Sequence, residues 1–399
     1  MKSLYHLSLF FVLFLIGCGS DNEENEIRPP EEPTSKLVSA TKISELSLNE
    51  VIQSYDLVFP YTVMADLKSN LVSVSAYKII YQTPHPYFPN VLIEASGLVL
   101  LPDSDKTLPI LSLQHGTIAD DNEVPSNFVA TSVNRNYAIA VAGLEYVVVA
   151  PDYLGYGESD HLLHPYEHGA TLAQSSYDIL EATKYFLQDK SVAYSDQLFL
   201  AGYSEGGYAT MALHQYIEEN TNTEVTASIV GGGAYNKTLF AKEIMQKNEP
   251  LAFMPNYLWV LYTYNNIYGI NEPFSFYINQ DQLANINPSN FFDSGDLDTN
   301  PQALFTENFR NLIINEGNHP MVDAIKDNDR FDWRPEGEIW IVHGALDDFV
   351  FPSNATSAHQ AMTSSGLENI HLSLAESFDH TATAALFSIQ VPLIFEEMR

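Results

Sequence analysis

Two rhythms of apolar residues run along this 399-residue chain. Short unbroken apolar runs occupy 108–114, 146–150, 197–203, 225–230, 338–344 and 369–374. Runs of that length, rich in β-branched residues and lacking alternation, read as strands covered on both faces. Between them lie stretches of helical period. The clearest is 172–187, which puts Leu172, Ile179, Leu180, Thr183, Phe186 and Leu187 on one face, and 207–218 is another. Strands alternating with helices at this spacing predict an α/β architecture: a mostly parallel sheet with helices on both faces.

The two ends of this rhythm depart from it. Residues 77–82 and 91–101 are β-rich and separated by Thr83-Pro84-His85-Pro86, Pro89 and Asn90, which predicts a hairpin-like start to the sheet. Before them, 37–70 shows apolar residues at mixed three and four spacings and is expected to be mostly helical. From 235 to 335 no parallel strand stands out, and 253–277 is dense in aromatics. The expectation is a helical insertion over about 234–335, with Trp259 and Tyr262 among the residues that line an apolar pocket.

The first residues form a targeting segment. Lys2 precedes an apolar run from Leu9 to Ile16, too short to span a bilayer, and the run ends in Leu15-Ile16-Gly17-Cys18. Cys18 is the only cysteine of the chain. The segment resembles a bacterial lipobox, which implies a signal peptide over 1–17 and lipidation of Cys18. Residues 18–36 are acidic and proline-rich, with too little apolar surface to pack, and read as a tether to the domain over 37–399. The acidic stretch after Cys18 also resembles the surface-export signal of some Gram-negative lipoproteins. The implied location is the bacterial cell envelope: lipid-anchored, in the outer membrane, facing either way.

Composition narrows the partners. Fifty-one acidic residues against 18 basic ones give a formal net charge of −33. Such a surface repels nucleic acid and anionic headgroups, so neither is expected as a ligand. A core this size does not need disulfides, so an oxidising compartment is compatible with a single cysteine.

Chemistry concentrates where the run from 197 meets Gly202-Tyr203-Ser204-Glu205-Gly206. Gly-x-Ser-x-Gly between a strand and a helix is a nucleophile elbow, in which the turn lifts the serine above the sheet. Alone the pattern is weak, but three further motifs stand at fitting places. The strand at 108–114 delivers His115-Gly116-Thr117, the strand at 338–344 is followed by Ala345-Leu346-Asp347-Asp348-Phe349-Val350, and the last strand by Asp379-His380. With Pro151-Asp152-Tyr153-Leu154-Gly155-Tyr156-Gly157 leaving another strand, these motifs resemble the α/β-hydrolase superfamily, and within it the secreted lipase-type esterases.

The resemblance implies a Ser204-Asp347-His380 triad in the chain order of that fold, with Asp347 favoured over Asp348 by register. It also implies an oxyanion hole from the amides of Glu205 and Thr117, an insertion acting as a cap, and no metal or organic cofactor. The expected reaction is hydrolysis of carboxylic esters, of small-molecule, lipid or glycan type, through an acyl-enzyme. Two alternatives stay open: a serine peptidase on the same fold, and a non-catalytic surface lipoprotein that binds polymer on this scaffold.

Two other patterns invite metal readings. His161, His164 and His168 cluster near carboxylates, but in a proline-interrupted loop, and are read as pocket or loop structure. Asp296-Leu297-Asp298-Thr299-Asn300-Pro301 with Glu307 has the spacing of a calcium loop. Pro301 stands where that loop needs glycine, so Asn300 is read instead as a helix cap with proline in the first turn.

Overall fold

The computed structural model describes residues 35–59, 64–288, 290–364 and 366–399. The signal peptide, Cys18 and almost all of the tether lie outside the described residues.

Nine strands form one sheet: β1 (Leu37–Leu46), β2 (Val74–His85), β3 (Phe88–Pro102), β4 (Leu108–Gln114), β5 (Val147–Pro151), β6 (Tyr194–Tyr203), β7 (Ala227–Gly231), β8 (Glu338–Gly344) and β9 (Ile370–Ala375). Their spatial order is β1-β2-β3-β5-β4-β6-β7-β8-β9. The pairs β1/β2, β2/β3 and β3/β5 are antiparallel, and every later pair is parallel. This is the α/β-hydrolase fold that the motifs predicted, with β6 near the middle.

The strands β4 to β8 are largely apolar where both of their faces are covered. Val148 and Ala150 of β5 face a cluster built with the helices Leu48–Val58, Val133–Ala142 and His380–Met398. Val147 and Val149 face the opposite cluster, where Ile179, Leu180 and Phe186 of the helix Gly169–Asp189 pack with Leu213 and Ile217 of the helix Glu205–Asn220. All four β5 residues are buried. At roughly 1.5–3 kcal/mol for each buried aliphatic side chain, two such layers fix the sheet, and with it the strand ends that carry the site.

One expectation is corrected. Residues 37–70 are not mostly helical, because 37–46 is the edge strand β1 and only Leu48–Val58 and the short Ala65–Lys68 are helical. Thr41, Ile43 and Lys42 of β1 are exposed, so no buried face writes a period-two signal. The strand is held by its backbone ladder to β2, and Lys42 and Glu45 charge the free edge. The helix begins where Ser47 accepts from the amide of Glu50 while Glu50 bonds back to the Ser47 amide, a reciprocal cap.

The hairpin is longer than the proline punctuation suggested. Pro84 pairs with Leu92 inside the β2/β3 ladder. The β1 register reaches only Tyr81, so at Pro84 that side of β2 is an edge and the missing N–H leaves no ladder bond unmade.

Between β7 and β8 the chain forms the helices Lys237–Gln246, Met254–Ile267, Glu307–Ile314 and Pro320–Asp327 with short turns. They share a core of their own, including Met254, Leu258, Tyr277, Leu304, Phe305 and Phe309. Asn300 caps the short helix Pro301–Leu304 by accepting from the Gln302 amide, as the cap reading required.

Candidate active site

Ser204 follows β6 directly and caps the helix Glu205–Asn220 with φ 60° and ψ −124°. A side chain tolerates that conformation only where its surroundings fix it. The flanking glycines show how tight the turn is. A Cβ on Gly202 would lie 2.2 Å from the Gly206 carbonyl oxygen, and one on Gly206 would lie 2.2 Å from that of Gln114. Backbone cannot yield to either, so both positions exclude every larger residue. The Ser204 amide donates to Gly231 O at 2.8 Å, which ties the turn to β7.

Two strand ends and a helix start bring the predicted partners to the serine. His380 Nε2 stands 3.0 Å from Ser204 Oγ, and its Nδ1 stands 2.6 Å from Asp347 Oδ2. The carboxylate only accepts, so Nδ1 carries the proton and Nε2 offers its lone pair to the serine hydroxyl. Asp347 lies three residues beyond β8 and is 3% exposed. Its Oδ1 accepts from the amides of Phe349 and Val350 at 3.0 and 2.8 Å. Burial pushes its carboxyl up, but hydrogen bonds from His343 and His380 outweigh that and hold it at about 2. Asp348 is exposed and points elsewhere, which decides between the two aspartates. His343, missed as a site residue, is buried with Nε2 2.8 Å from Val350 O and 3.3 Å from Asp347 Oδ2. His380 opens the helix His380–Met398, where Asp379 caps by accepting from Ala382 N, and the Tyr203 hydroxyl donates to the His380 carbonyl.

On the other side of Ser204 lie the two expected oxyanion residues. Glu205 contributes the first amide of its helix, which has no carbonyl one turn back to receive it. Thr117 lines the same groove as Ser204, and its Oγ1 is 2.8 Å from the Tyr166 hydroxyl. Tyr166 accepts from Asn256 Nδ2 at 3.1 Å and stacks on Trp259 at 4.4 Å, so the insertion braces the Thr117 loop.

The Glu205 side chain is buried against His164. His164 Nδ1 stands 2.7 Å from Leu154 O, a pure acceptor, so Nδ1 is protonated. Nε2 stands 2.7 Å from Glu205 Oε1, and that contact needs one proton between the two atoms. Whichever atom holds it, the pair carries no net charge. The clustered histidines therefore act as loop structure: His164 has both nitrogens engaged, and His168 Nδ1 pairs with Thr171 Oγ1 at 3.1 Å. Burial brings His168 down to about 4.

Two cavities meet at Ser204. One, of about 100 Å³, runs into the insertion and is walled by Phe240, Ile244, Leu261, Phe305, Phe309 and Ile313 among others. The second is a wider groove of about 760 Å³ past Thr117, Tyr203 and His380, whose rim includes the exposed Leu57 and Val133. Within 253–277, Tyr257, Val260, Leu261 and Tyr264 face the first cavity. Trp259 and Tyr262 do not. They line a separate hollow with Phe291 and Phe292, which corrects the expectation from sequence. Aromatic and aliphatic residues surround this helix on all sides, so periodicity could not say which of them meets the serine.

The comparisons agree with this geometry at the level of class. The sequence model of the prolyl oligopeptidase family matches residues 131–219, which span the elbow. No curated protein matches the chain. Among solved structures, a Legionella pneumophila protein assigned to the hydrolases is 25% identical with a TM-score of 0.78, covering 91% of this chain and 98% of that one. A rice cell wall degrading esterase, LipA of Xanthomonas oryzae, is 20% identical with a TM-score of 0.74, covering 91% and 99%. Lipase A of Candida antarctica is 14% identical with a TM-score of 0.59, covering 86% and 77%, and shares the fold. The chain thus has the α/β-hydrolase fold, and its stretch 131–219 is similar to the prolyl oligopeptidase family.

Proposed function

We propose that this protein is a serine esterase of the lipase type, cleaving carboxylic esters through Ser204, His380 and Asp347. The observation that carries the reading is the meeting of the hydrogen-bonded Ser204–His380–Asp347 relay with a largely apolar cavity. His380 takes the Ser204 proton as Oγ attacks the ester carbonyl, and Asp347 holds the imidazole in the required tautomer and stabilises its charge. The amides of Glu205 and Thr117 receive the oxyanion. His380 returns its proton to the departing alcohol, and water then releases the acid by the same route. The apolar cavity takes the acyl chain, the wider groove takes the alcohol, and the helices over 237–327 serve as the cap.

A peptidase reading draws on the family match over 131–219. The cavity wall counts against it, because a bound peptide needs partners for its backbone groups and this wall is almost wholly apolar. The intact relay likewise weighs against a purely binding scaffold. On sequence alone, we further infer lipidation at Cys18 and anchoring in the bacterial envelope. The deciding experiment is a panel of p-nitrophenyl esters and aminoacyl anilides offered to protein lacking residues 1–18. Ester turnover abolished by Ser204→Ala supports the reading, while anilide cleavage without ester cleavage overturns it.

A further inference from the structure

Charge interrupts the apolar cavity wall at one place. Lys237, first residue of the helix Lys237–Gln246, and Glu167, in the loop before the helix Gly169–Asp189, both line the cavity that opens at Ser204. Their side chains are ion-paired through Nζ and Oε2, and each residue is only 6% exposed. The Lys237 ammonium also stands 3.7 Å from the centre of the Tyr208 ring, on the same helix that Ser204 opens.

Holding this pair is costly. Each buried ion loses several kcal/mol of hydration, roughly, and an apolar pair of equal volume would line an acyl cavity at no such cost. Glu167 moreover sits at φ 57°, a left-handed conformation that disfavours a side chain, and its carbonyl is held by the Tyr264 hydroxyl at 2.8 Å. The pair also carries further hydrogen-bonding groups. Lys237 has three N–H donors; one meets Glu167 and one faces the Tyr208 ring. That leaves a third donor on Lys237, and Oε1 of Glu167 beside the Oε2 that accepts from the ammonium.

One neutral group fits such a pair. A hydroxyl accepts from the ammonium and donates to the carboxylate without adding charge. A carboxylate guest would meet Glu167, and an ammonium guest would meet Lys237. Resting on the esterase reading, we propose that the cavity selects hydroxylated acyl chains, with Lys237 and Glu167 as the specificity-determining pair. The substrate class is esters of hydroxy acids whose chain is otherwise apolar.

The test separates this proposal from the reading beneath it. Ser204→Ala protein is titrated calorimetrically with decanoate and with its 3-, 6- and 10-hydroxy derivatives, which requires no turnover. The expected result is one positional isomer binding about tenfold tighter than decanoate, as one charge-assisted hydrogen bond provides. That preference should vanish when Lys237→Met and Glu167→Gln are added together, a change that leaves no charge unpaired. Isomers that all bind no better than decanoate overturn the proposal, as does a preference that survives the double change. If the double variant does not fold, the ranking in Ser204→Ala protein decides alone. Wild-type protein is then given the p-nitrophenyl esters of the same acids. Tight binding without hydrolysis defeats the esterase reading and leaves the subsite standing, whereas hydrolysis without any hydroxyl preference defeats the subsite alone.

Discussion

His164 Nε2 and Glu205 Oε1 stand 2.7 Å apart with both side chains almost fully buried, and the proton they share cancels the charge of the carboxylate on the residue next to the nucleophile. The consequence is electrostatic. An unpaired carboxylate on the residue whose amide receives a developing oxyanion would oppose it by about 1–3 kcal/mol, the range for charges roughly 5–15 Å apart at an effective dielectric near 20. His164→Phe should therefore lower kcat on p-nitrophenyl butyrate about 100-fold. It should also destabilise the fold by about 3–5 kcal/mol, since Glu205 is left buried and alone. Glu205→Gln can still donate to a neutral imidazole and should stay within a few-fold of wild type. Equal damage from both substitutions would contradict this account.

Asp347 and Asp348 are neighbours with opposite surroundings, one buried against His380 and one exposed. Asp347→Asn should reduce kcat by about 10⁴-fold, against a floor set by Ser204→Ala at about 10⁶-fold. Asp348→Asn should remain within about tenfold of wild type. Steady-state kinetics on folded variants decide it, and a crippled Asp348→Asn would move the acid by one residue.

The same carboxylate makes a prediction about pH. Burial raises Asp347, yet bonds from His343 and His380 bring it to about 2 when folded, whereas an unfolded aspartate titrates near ~3.9. Because the folded value is the lower one, its stabilisation is complete above pH ~4 and is lost as pH falls from there towards 2. It amounts to about 2–3 kcal/mol. Melting curves of wild type and Asp347→Asn should differ at pH 7 and converge by about pH 2–3. A gap independent of pH would show that the folded carboxyl is not depressed.

Chain-length preference should follow the residues that face the serine. Val260 lines the cavity and Trp259 does not. Val260→Trp should cut kcat/KM for octanoyl esters by about tenfold or more while sparing acetyl esters. Trp259→Ala should act through the Tyr166–Thr117 brace and slow all chain lengths alike. Reversed patterns would place the acyl chain in the other hollow.

For the N-terminal segment, Cys18→Ser should shift the protein from the membrane fraction to the soluble fraction, as loss of a lipid anchor requires. Unchanged partition on fractionation would refute lipidation.

What the sequence disclosed follows from where burial leaves a mark. β4 to β8 are legible because covering both faces demands unbroken apolar runs, and the elbow is legible because two glycines are sterically compulsory. β1 is not, since a strand held at an exposed edge by backbone bonds needs no particular side chains. Pairings across long separations are equally silent. His164 and Glu205 are 41 residues apart, and Lys237 and Glu167 are 70, so nothing local in either stretch announces the partner. The insertion was evident as an absence of strands, but which side of Met254–Ile267 faces Ser204 is set by the packing around it.

The two unequal cavities at Ser204 have a kinetic corollary. If the esterase proposal holds, the acid half of an ester lies against a narrow wall of largely buried side chains, and the alcohol half leaves through a groove with an exposed rim. Once the alcohol has gone, every ester of a given acid yields the same covalent species. An enzyme shaped this way is strict about what it keeps and indifferent to what it discards, so esters of one acid with quite different alcohols should converge on a single maximal rate wherever release of the acid is slowest.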